Sequence, residues 1–369
     1  MKVLIAAGGT GGHIYPAIAI AEGLRTMNKD CDLLFVCSKR KLEKKILSEY
    51  NVKVEQIATQ GIIAVNLKGK VIALFSLVYS FFQVARILNQ FKPDIVLGMG
   101  GYVSFPVASL AVALRYRVAL CEQNSIPGTT NKILGRFVNA FFASFDITKN
   151  YIQGKHIIIS GNPLRSSLLE KRNEAGDKQE NKQEHTFTIL IIGGSQGSRN
   201  INEAVVAILP YILKENGINI RIMHQTGYED YEWVKHSYEQ TGTCGSVVPF
   251  IDDMGSAYIS ADLIVSRAGA TVISEILFFG KPSILIPHPF SAKNHQEHNA
   301  DILVKSGAAI KIIDFPENRE LLAQKIVTLI HDKARLQEMG KRAHLLAKPD
   351  ATKTIVNWCF EKGNGETDV

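Results

Sequence analysis

Along the whole chain, short unbroken apolar runs alternate with longer stretches whose apolar residues recur at helical spacing. Val3–Ala6, Leu33–Val36, Ile95–Gly98, Val118–Cys121, Phe141–Ser144 and Ile157–Ser160 read as strands in the first half. In the second half Thr188–Ile192, Ile220–His224, Ser246–Phe250, Leu263–Ser266 and Ile284–Pro287 do so. Apolar strands separated by helices belong to parallel sheets covered on both faces, so the pattern predicts an α/β fold. Gly161-Asn162-Pro163-Leu164-Arg165 interrupts the alternation, and the two halves are expected to meet there. Glu170 to His185, dense in Lys, Glu, Gln and Asn, has little to bury and reads as a solvated helix end or loop. Ala351 to Lys362 is amphipathic enough for a closing helix, with a frayed tail expected beyond Gly363.

Three of the strand-to-helix junctions are glycine clusters: Gly8 to His13 (GGTGGH), Gly98 to Ser104 (GMGGYVS) and Gly193 to Ser198 (GGSQGS). Glycine there lets the backbone approach a phosphate, and the N–H groups of the following helix favour an anion. One such loop is a weak signal. Three of them, spread over both halves, point to two nucleotide-fold halves serving a phosphate-rich ligand.

Composition narrows the class. With 369 residues, 46% of them hydrophobic, the chain supports two domains better than one. Cys31, Cys37, Cys121, Cys244 and Cys359 are scattered without a C-x-x-C pair, which indicates neither a disulfide framework nor a thiolate metal cage and fits a reducing cytoplasm. The opening MKVLIAAGG is too short an apolar run for a signal peptide, so no export is expected.

Charge singles out the region between Glu55 and Glu122, whose interior sets one acid, Asp94, against Lys68, Lys70, Arg86, Lys92, Arg115 and Arg117. Within it Val71 to Ala85 carries no charge and is shorter than the roughly twenty residues that span a bilayer. It reads either as a buried core helix or as a helix dipping into an anionic membrane surface, and the basic flanks favour the second. Nothing resembles a zinc finger or an RNP motif, so nucleic acid is not an expected partner.

Two residues stand out chemically. His13 ends the first glycine loop ahead of Pro16 and the apolar run Ala17 to Leu24, so a helix is expected to begin beside it. Its imidazole can act as a base toward a hydroxyl, or can cap the turn and donate to a phosphate; spacing leaves both open. Glu275 lies one turn into the helix after Ser266-Arg267-Ala268-Gly269-Ala270-Thr271, where it can accept hydrogen bonds from a ribose diol or merely favour the helix dipole.

Nine motifs occur in one order: GGTGGHxxPA, GMGGYVS, EQN (Glu122 to Asn124), GNPxR (Gly161 to Arg165), GGSQG (Gly193 to Gly197), HQTG (His224 to Gly227), PFIxDM (Pro249 to Met254), SRAGAT with Glu275, and HQxxNA (His295 to Ala300). Together they resemble the MurG family, the N-acetylglucosaminyltransferases that convert lipid I to lipid II in peptidoglycan synthesis. The resemblance implies a GT-B architecture: two Rossmann-like domains with parallel sheets and an interdomain cleft, 1–163 facing acceptor and membrane, 164–346 binding the UDP-sugar, and a C-terminal helix near 347–362 rejoining the first domain. It implies UDP-N-acetylglucosamine as donor, with Ser195 at the diphosphate, Ile251 at uracil, Arg165 in the donor site, Ala270 and Thr271 at the α-phosphate, Glu275 at the ribose and Gln296 at the sugar hydroxyls. Thr10, Gly11, Gly12 and Asn124 complete the donor set. Gly12, His13, Gly100, Gly101, Tyr102 and Ser104 would take the acceptor pyrophosphate, leaving His13 and Asn124 as catalytic candidates near the acceptor hydroxyl.

On this reading an α-linked donor gives a β-(1→4) product by one in-line, inverting displacement at the C4 hydroxyl of the muramyl sugar. Loop N–H groups stabilise the departing UDP. Asp252-Asp253 suits a loop or helix cap better than a cation, so a step without cofactor or metal is expected. Partners would be UDP-GlcNAc, undecaprenyl-linked lipid I, an anionic membrane surface at the cytoplasmic face of the cell membrane, held peripherally, and other cell-wall synthesis proteins. Three departures from the family are Cys121 where histidine is common, Phe105 where glycine is common, and His295 where some relatives have glutamine. Competing readings are a diacylglycerol glycosyltransferase, a UDP-N-acetylglucosamine 2-epimerase and a noncatalytic nucleotide-sugar binder. A dinucleotide oxidoreductase fits least, lacking a G-x-G-x-x-G turn with its acid.

Overall fold

The computed structural model describes residues 1–9, 11–59, 67–154, 156–176, 186–213, 218–314 and 316–361. Thr10, residues 177–185 of the charged stretch and the tail from 362 lie outside them. The chain divides into two compact units, Met1–Ser166 together with the chain from Lys348 on, and Ser167–Ala347.

Seven parallel strands build the first unit: β1 (Lys2–Ala6), β2 (Asp32–Ser38), β3 (Lys53–Ile57), β4 (Ile95–Gly98), β5 (Arg117–Glu122), β6 (Ala140–Ala143) and β7 (Ile157–Ile159), in the order β3-β2-β1-β4-β5-β6-β7. Its helices are α1 (Gly11–Met27), α2 (Lys41–Ser48), α3 (Leu67–Phe91), α4 (Gly101–Ala113) and α5 (Thr129–Leu134). Alternation along β1 sorts its side chains between two cores. Val3 and Ile5 pack with Ile14, Ile18 and Leu24 of α1, while Leu4 and Ala6 pack with Val84 and Leu88 of α3 and Val103 and Val107 of α4. The chain therefore leaves β1 toward one face and β4 toward the other. Between these neighbours the strand order reverses, and the crevice at the carboxyl ends of such a pair is where doubly wound folds take their ligands.

The second unit repeats the plan. After α6 (Ser166–Ala175) come β8 (Phe187–Ile192), α7 (Arg199–Ile212), β9 (Ile220–Gln225), α8 (Tyr231–Thr241), β10 (Gly245–Val248), α9 (Met254–Ser260) and β11 (Leu263–Ser266). These are followed by α10 (Ala270–Phe279), β12 (Ser283–Leu285), α11 (His295–Lys305), β13 (Ala309–Lys311), α12 (Arg319–His331) and α13 (Lys333–Leu345). The six strands are parallel in the order β10-β9-β8-β11-β12-β13, so the reversal falls between β8 and β11. β10 and β12 stop before Pro249 and Pro287, which have no N–H for the ladder, so both end earlier than the apolar runs suggest. The outer strands β3 and β13 are absent from the sequence reading.

A last helix, α14 (Ala351–Phe360), packs in the first unit, where Ile355, Val356 and Cys359 join the α1 core. A β-carbon at Gly23 of α1 would stand 2.7 Å from Thr352 Cγ2, so glycine admits this close approach. Arg117 closes the end of α14: its guanidinium lies 4.0 Å from the centre of the Trp358 ring and donates to the carbonyls of Trp358 (2.7 Å) and Glu361 (2.7 Å).

The uncharged segment is part of α3, a helix of 25 residues. It is not a wholly buried core helix. Ala73, Ser80, Val84 and Leu88 are buried, whereas Phe75 (72%), Val78 (50%), Tyr79 (57%) and Phe82 (70%) are exposed along one stripe at i, i+3, i+4, i+7 spacing. Among the described residues, no helix is long and apolar enough to cross a membrane.

Candidate functional site

In the first unit the loops after β1 and β4 meet. A β-carbon at Gly100 would lie 3.5 Å from His13 Nε2, and one at Gly101 would lie 3.3 Å from His13 Cε1, so two glycines at positive φ (+89° and +75°) let the imidazole settle against the second loop. His13 falls in the first turn of α1, which opens at Gly11 and keeps Pro16 inside it. His13 Nδ1 is 3.0 Å from Gly8 O. A carbonyl only accepts, so Nδ1 carries the proton and Nε2 of the neutral ring keeps its lone pair. Desolvation of the part-buried ring lowers its pKa below 6.5, opposed by the bond to Gly8 and by the charge of Glu43.

The loop around Gly9 is tied on every side. Its N–H donates to Glu43 Oε1 (2.7 Å), its carbonyl accepts from Arg40 (3.0 Å), and a β-carbon there would stand 3.3 Å from the Tyr102 ring. Tyr102 in turn lies under Arg40, 5.5 Å from the ring centre, and its hydroxyl, raised in pKa by burial, is 3.5 Å from Ser38 Oγ. Ser104 is fully buried, and its hydroxyl has Ala6 O (2.8 Å) at the end of β1 and Gly100 O (2.7 Å) in the loop after β4 as partners. In this structure Ser104 clasps that loop to the end of β1.

At the end of β5, Glu122 is buried and accepts from the N–H of Asn124 (3.0 Å), the N–H of Gly128 (2.9 Å) and Asn131 Nδ2 (2.9 Å). Burial raises its pKa against the pull of those bonds. Glu122 thereby orients Asn124, and Asn131 of α5 bridges it toward Gly100. The Cys121 thiol turns the other way, into the α1 core, where burial pushes its pKa up. The Phe105 ring meets Phe81 of α3 edge-on at 6.4 Å. Arg165, also in the first unit, lies 4.7 Å from the centre of the Tyr15 ring.

In the second unit, the loops after β8 and β11 lie at the other switch point. Gly194 and Gly197 take positive φ (+96° and +79°), and Ser195 sits part-exposed between them. A β-carbon at Gly197 would overlap Thr226 O, and one at Gly227 would overlap Gln196 O, so the GGSQG and HQTG turns fit only as glycines. Arg267 is buried and donates to Ser198 Oγ (2.7 Å), Asp314 (2.7 Å) and the Ile286 carbonyl (3.1 Å), fastening the end of β11 to the helix α7. Gly269 holds the cap position of α10 and brings no side chain to it, with open space where a β-carbon would stand, and Ala270 and Thr271 begin the helix. Such an end is suited to an anion. Glu275, one turn further, is buried and accepts from the Tyr258 hydroxyl at 2.7 Å. It is not the exposed, dipole-favoured glutamate that its position alone allows. Ile251 is buried ahead of α9, and Gln296 Oε1 accepts from His288 N (2.9 Å) after β12. Asp253 caps α9 through Ser256 N (3.0 Å) and Ser256 Oγ (2.7 Å).

Both glycine-lined switch points match known domains. Residues 3–143 fit the glycosyltransferase family 28 N-terminal domain and residues 188–355 its C-terminal domain. This chain belongs to glycosyltransferase family 28. Within the family it is 40% identical over 356 residues to a protein of Thermodesulfovibrio yellowstonii, covering 96% of this chain and 97% of the relative. It is also 40% identical over 364 residues to one of Geotalea uraniireducens, covering 97% of each. Both are named UDP-N-acetylglucosamine--N-acetylmuramyl-(pentapeptide) pyrophosphoryl-undecaprenol N-acetylglucosamine transferase. The crystal structure of Acinetobacter baumannii MurG superposes with a TM-score of 0.76 at 29% identity over 97% of this chain and 99% of that one. The UDP-GlcNAc 2-epimerase of Neisseria meningitidis bound to UDP-GlcNAc shares the fold, with a TM-score of 0.68 at 17% identity over 98% and 100%. The MurG resemblance carried by the nine motifs is thus a family relationship over nearly the full family 28 chain.

Glu43, Asn131 and Arg267 have no role in the sequence reading. Arg267 is inside a motif that names its neighbours, so a signal was present. Glu43 sits in a polar KLEKK run that reads as a solvated face.

Proposed function

We infer that this enzyme transfers N-acetylglucosamine from UDP-GlcNAc to the C4 hydroxyl of the MurNAc of lipid I with inversion, giving lipid II. The observation that carries the reading is 40% identity over nearly the full length to transferases named for this reaction, together with both glycine-loop sites. The donor is held by the loop at Ser195, by Ile251, by the open end of α10 at Ala270 and Thr271, by Glu275 at the ribose and by Gln296 at the sugar. Arg165, Gly11, Gly12 and Asn124 complete its contacts from the first unit. The acceptor pyrophosphate lies on Gly12, His13, Gly100, Gly101 and Tyr102, with Ser104 holding the loop after β4 to the end of β1.

In the reaction, His13 Nε2 takes the proton of the acceptor hydroxyl as its oxygen bonds the anomeric carbon and the bond to UDP breaks, leaving its electron pair on the β-phosphate. The Nδ1 bond to Gly8 supports this role because it leaves Nε2 as the acceptor. Asn124, oriented by Glu122, assists beside the hydroxyl. The leaving charge is stabilised by the loop N–H groups and the end of α10, without a metal; Asp253, already used as a helix cap, supports that reading. The enzyme works peripherally at the cytoplasmic face of the membrane, resting the exposed stripe of α3 on anionic lipid beside the basic residues of its flanks.

Radiolabelled UDP-GlcNAc given to the purified protein with a soluble-tail lipid I analogue, and separately with diacylglycerol, tests the assignment. Label in the lipid I analogue alone is expected. Label in diacylglycerol would keep fold and donor and overturn the acceptor.

A further inference from the structure

Glu43 is a buried acid that the reaction above does not use. It is 1% exposed, and three donors converge on its two oxygens: Gly9 N–H and Ser38 Oγ on Oε1, Ser38 N–H on Oε2, each at 2.7 Å. Backbone N–H groups only donate, and this set of partners is the one an ionised carboxylate asks for. The position is unusual on electrostatic grounds. A glycine loop that receives a pyrophosphate gains from positive surroundings, and a carboxylate beneath it opposes the ligand. One of the loop's own N–H groups, that of Gly9, is also spent on Glu43 instead of on a phosphate. The arrangement costs the loop part of its anion affinity, so its use lies elsewhere.

That use is found at the other end of the same peptide. The Gly8 carbonyl, which precedes the N–H bound by Glu43, is the group that holds His13 Nδ1 at 3.0 Å. The same peptide unit thus has its N–H on the carboxylate and its C=O on the imidazole, so the two hydrogen bonds polarise one another. Arg40 fixes the next carbonyl, that of Gly9. We propose that Glu43 is a positioning residue for the His13 base: through the Gly8–Gly9 peptide it fixes the Nδ1-protonated ring with Nε2 toward the acceptor, and its negative charge stabilises the imidazolium that forms when Nε2 takes the proton. This rests on the reading of His13 as the base. The other groups around the ring do not supply that charge. Tyr102 of α4 is a neutral phenol, Arg40 is a cation that disfavours imidazolium, and Glu122 of β5 is buried behind Asn131 of α5 with its own donors. The charge of Glu43 acts against the desolvation that depresses the pKa of His13.

The test uses full-length protein labelled with ¹⁵N-histidine, with the His13 signal assigned by its loss in His13→Gln. In the unmodified protein neutral His13 is expected as the Nδ1-protonated tautomer; the Nε2-protonated form would overturn the proposal, and this holds whatever the variants do. In Glu43→Gln, shown to be folded by a wild-type far-UV circular dichroism spectrum and an unchanged Trp358 fluorescence transition in the Trp233→Phe background, the His13 midpoint is expected to fall. A midpoint that rises, as it does when a loosened loop lets water reach the ring, or that stays unchanged, would overturn it. In kinetics, Glu43→Gln is expected to lower kcat about 10- to 100-fold with the donor KM unchanged. The acid limb of its pH profile should move to lower pH with the NMR midpoint, and Glu43→Asp, which keeps the charge, should retain more of the rate. The NMR readings need no substrate. A wild-type protein that fails to glycosylate the lipid I analogue would overturn the functional reading and leave them standing.

Discussion

In the proposed base role His13 works only while neutral, so kcat is expected to fall as pH drops through its depressed pKa and to hold above it. His13→Ala should lower turnover by roughly two to four orders of magnitude with UDP binding intact; near-normal turnover in a transfer assay would remove His13 from the base role. His224 makes a different use of a neutral ring. Its Nε2 donates to Asn202 Oδ1 (3.0 Å) and its Nδ1 accepts from the Tyr238 hydroxyl (3.0 Å), a tautomer forced because Asn202 spends its amide hydrogens on Asp230 (2.8 Å) and Thr226 O (2.9 Å). Burial drives its pKa from 6.5 to about 3. As pH falls from 6.5 toward 3, the unfolded chain binds a proton that the folded unit refuses, and stability declines by about 1.4 kcal/mol per pH unit from this residue. Urea unfolding of His224→Gln at pH 6 and pH 4 should show a shallower decline than the wild type. At this scale the glycine loops were legible because glycine is itself the signal for positive φ and close approach. Glu43 was not, because a charged residue between lysines looks solvated until a distant backbone N–H is seen to need it.

Among the elements, helix α3 shows what periodicity conveys and what it withholds. Its apolar residues surround the axis almost completely, so the sequence could not say which of them face outward. Leu77 and Phe81, natural choices for a membrane test on sequence grounds, are only part-exposed, and Phe81 is held against Phe105. The exposed stripe is Phe75, Val78, Tyr79 and Phe82. Phe75→Glu with Phe82→Glu should abolish cosedimentation with anionic vesicles in a protein whose circular dichroism spectrum and thermal transition are those of the wild type; unchanged binding would end the membrane assignment of this helix. The missed strands have equally local causes. β3 has three polar residues among its five, with neither an apolar run nor a strict alternation, and β13 has only three residues, too few for any period to show.

For the whole molecule, the first unit is discontinuous in sequence, and one arginine secures its later segment. Arg117→Ala removes the stack on Trp358 and the bonds that finish α14, at an expected cost of about 2–3 kcal/mol to the first unit. The chain has two tryptophans, so in a Trp233→Phe background the fluorescence of Trp358 reports that unit, and its thermal transition should come earlier in the variant. The amphipathic spacing of residues 351–360 announces a helix and says nothing of which core receives it; the complementary surface is made by Gly23, a residue too small to advertise itself. This discontinuity has a consequence in time. β1 and α1 are synthesised first, yet the helix that covers α1 is encoded beyond the roughly 180 residues of the second unit. At about 5–20 residues per second, synthesis of the second unit alone delays α14 by about 10–40 s after the rest of the first unit has been made. The unit translated later has all its segments to hand first, so order of completion on the ribosome runs opposite to order of synthesis.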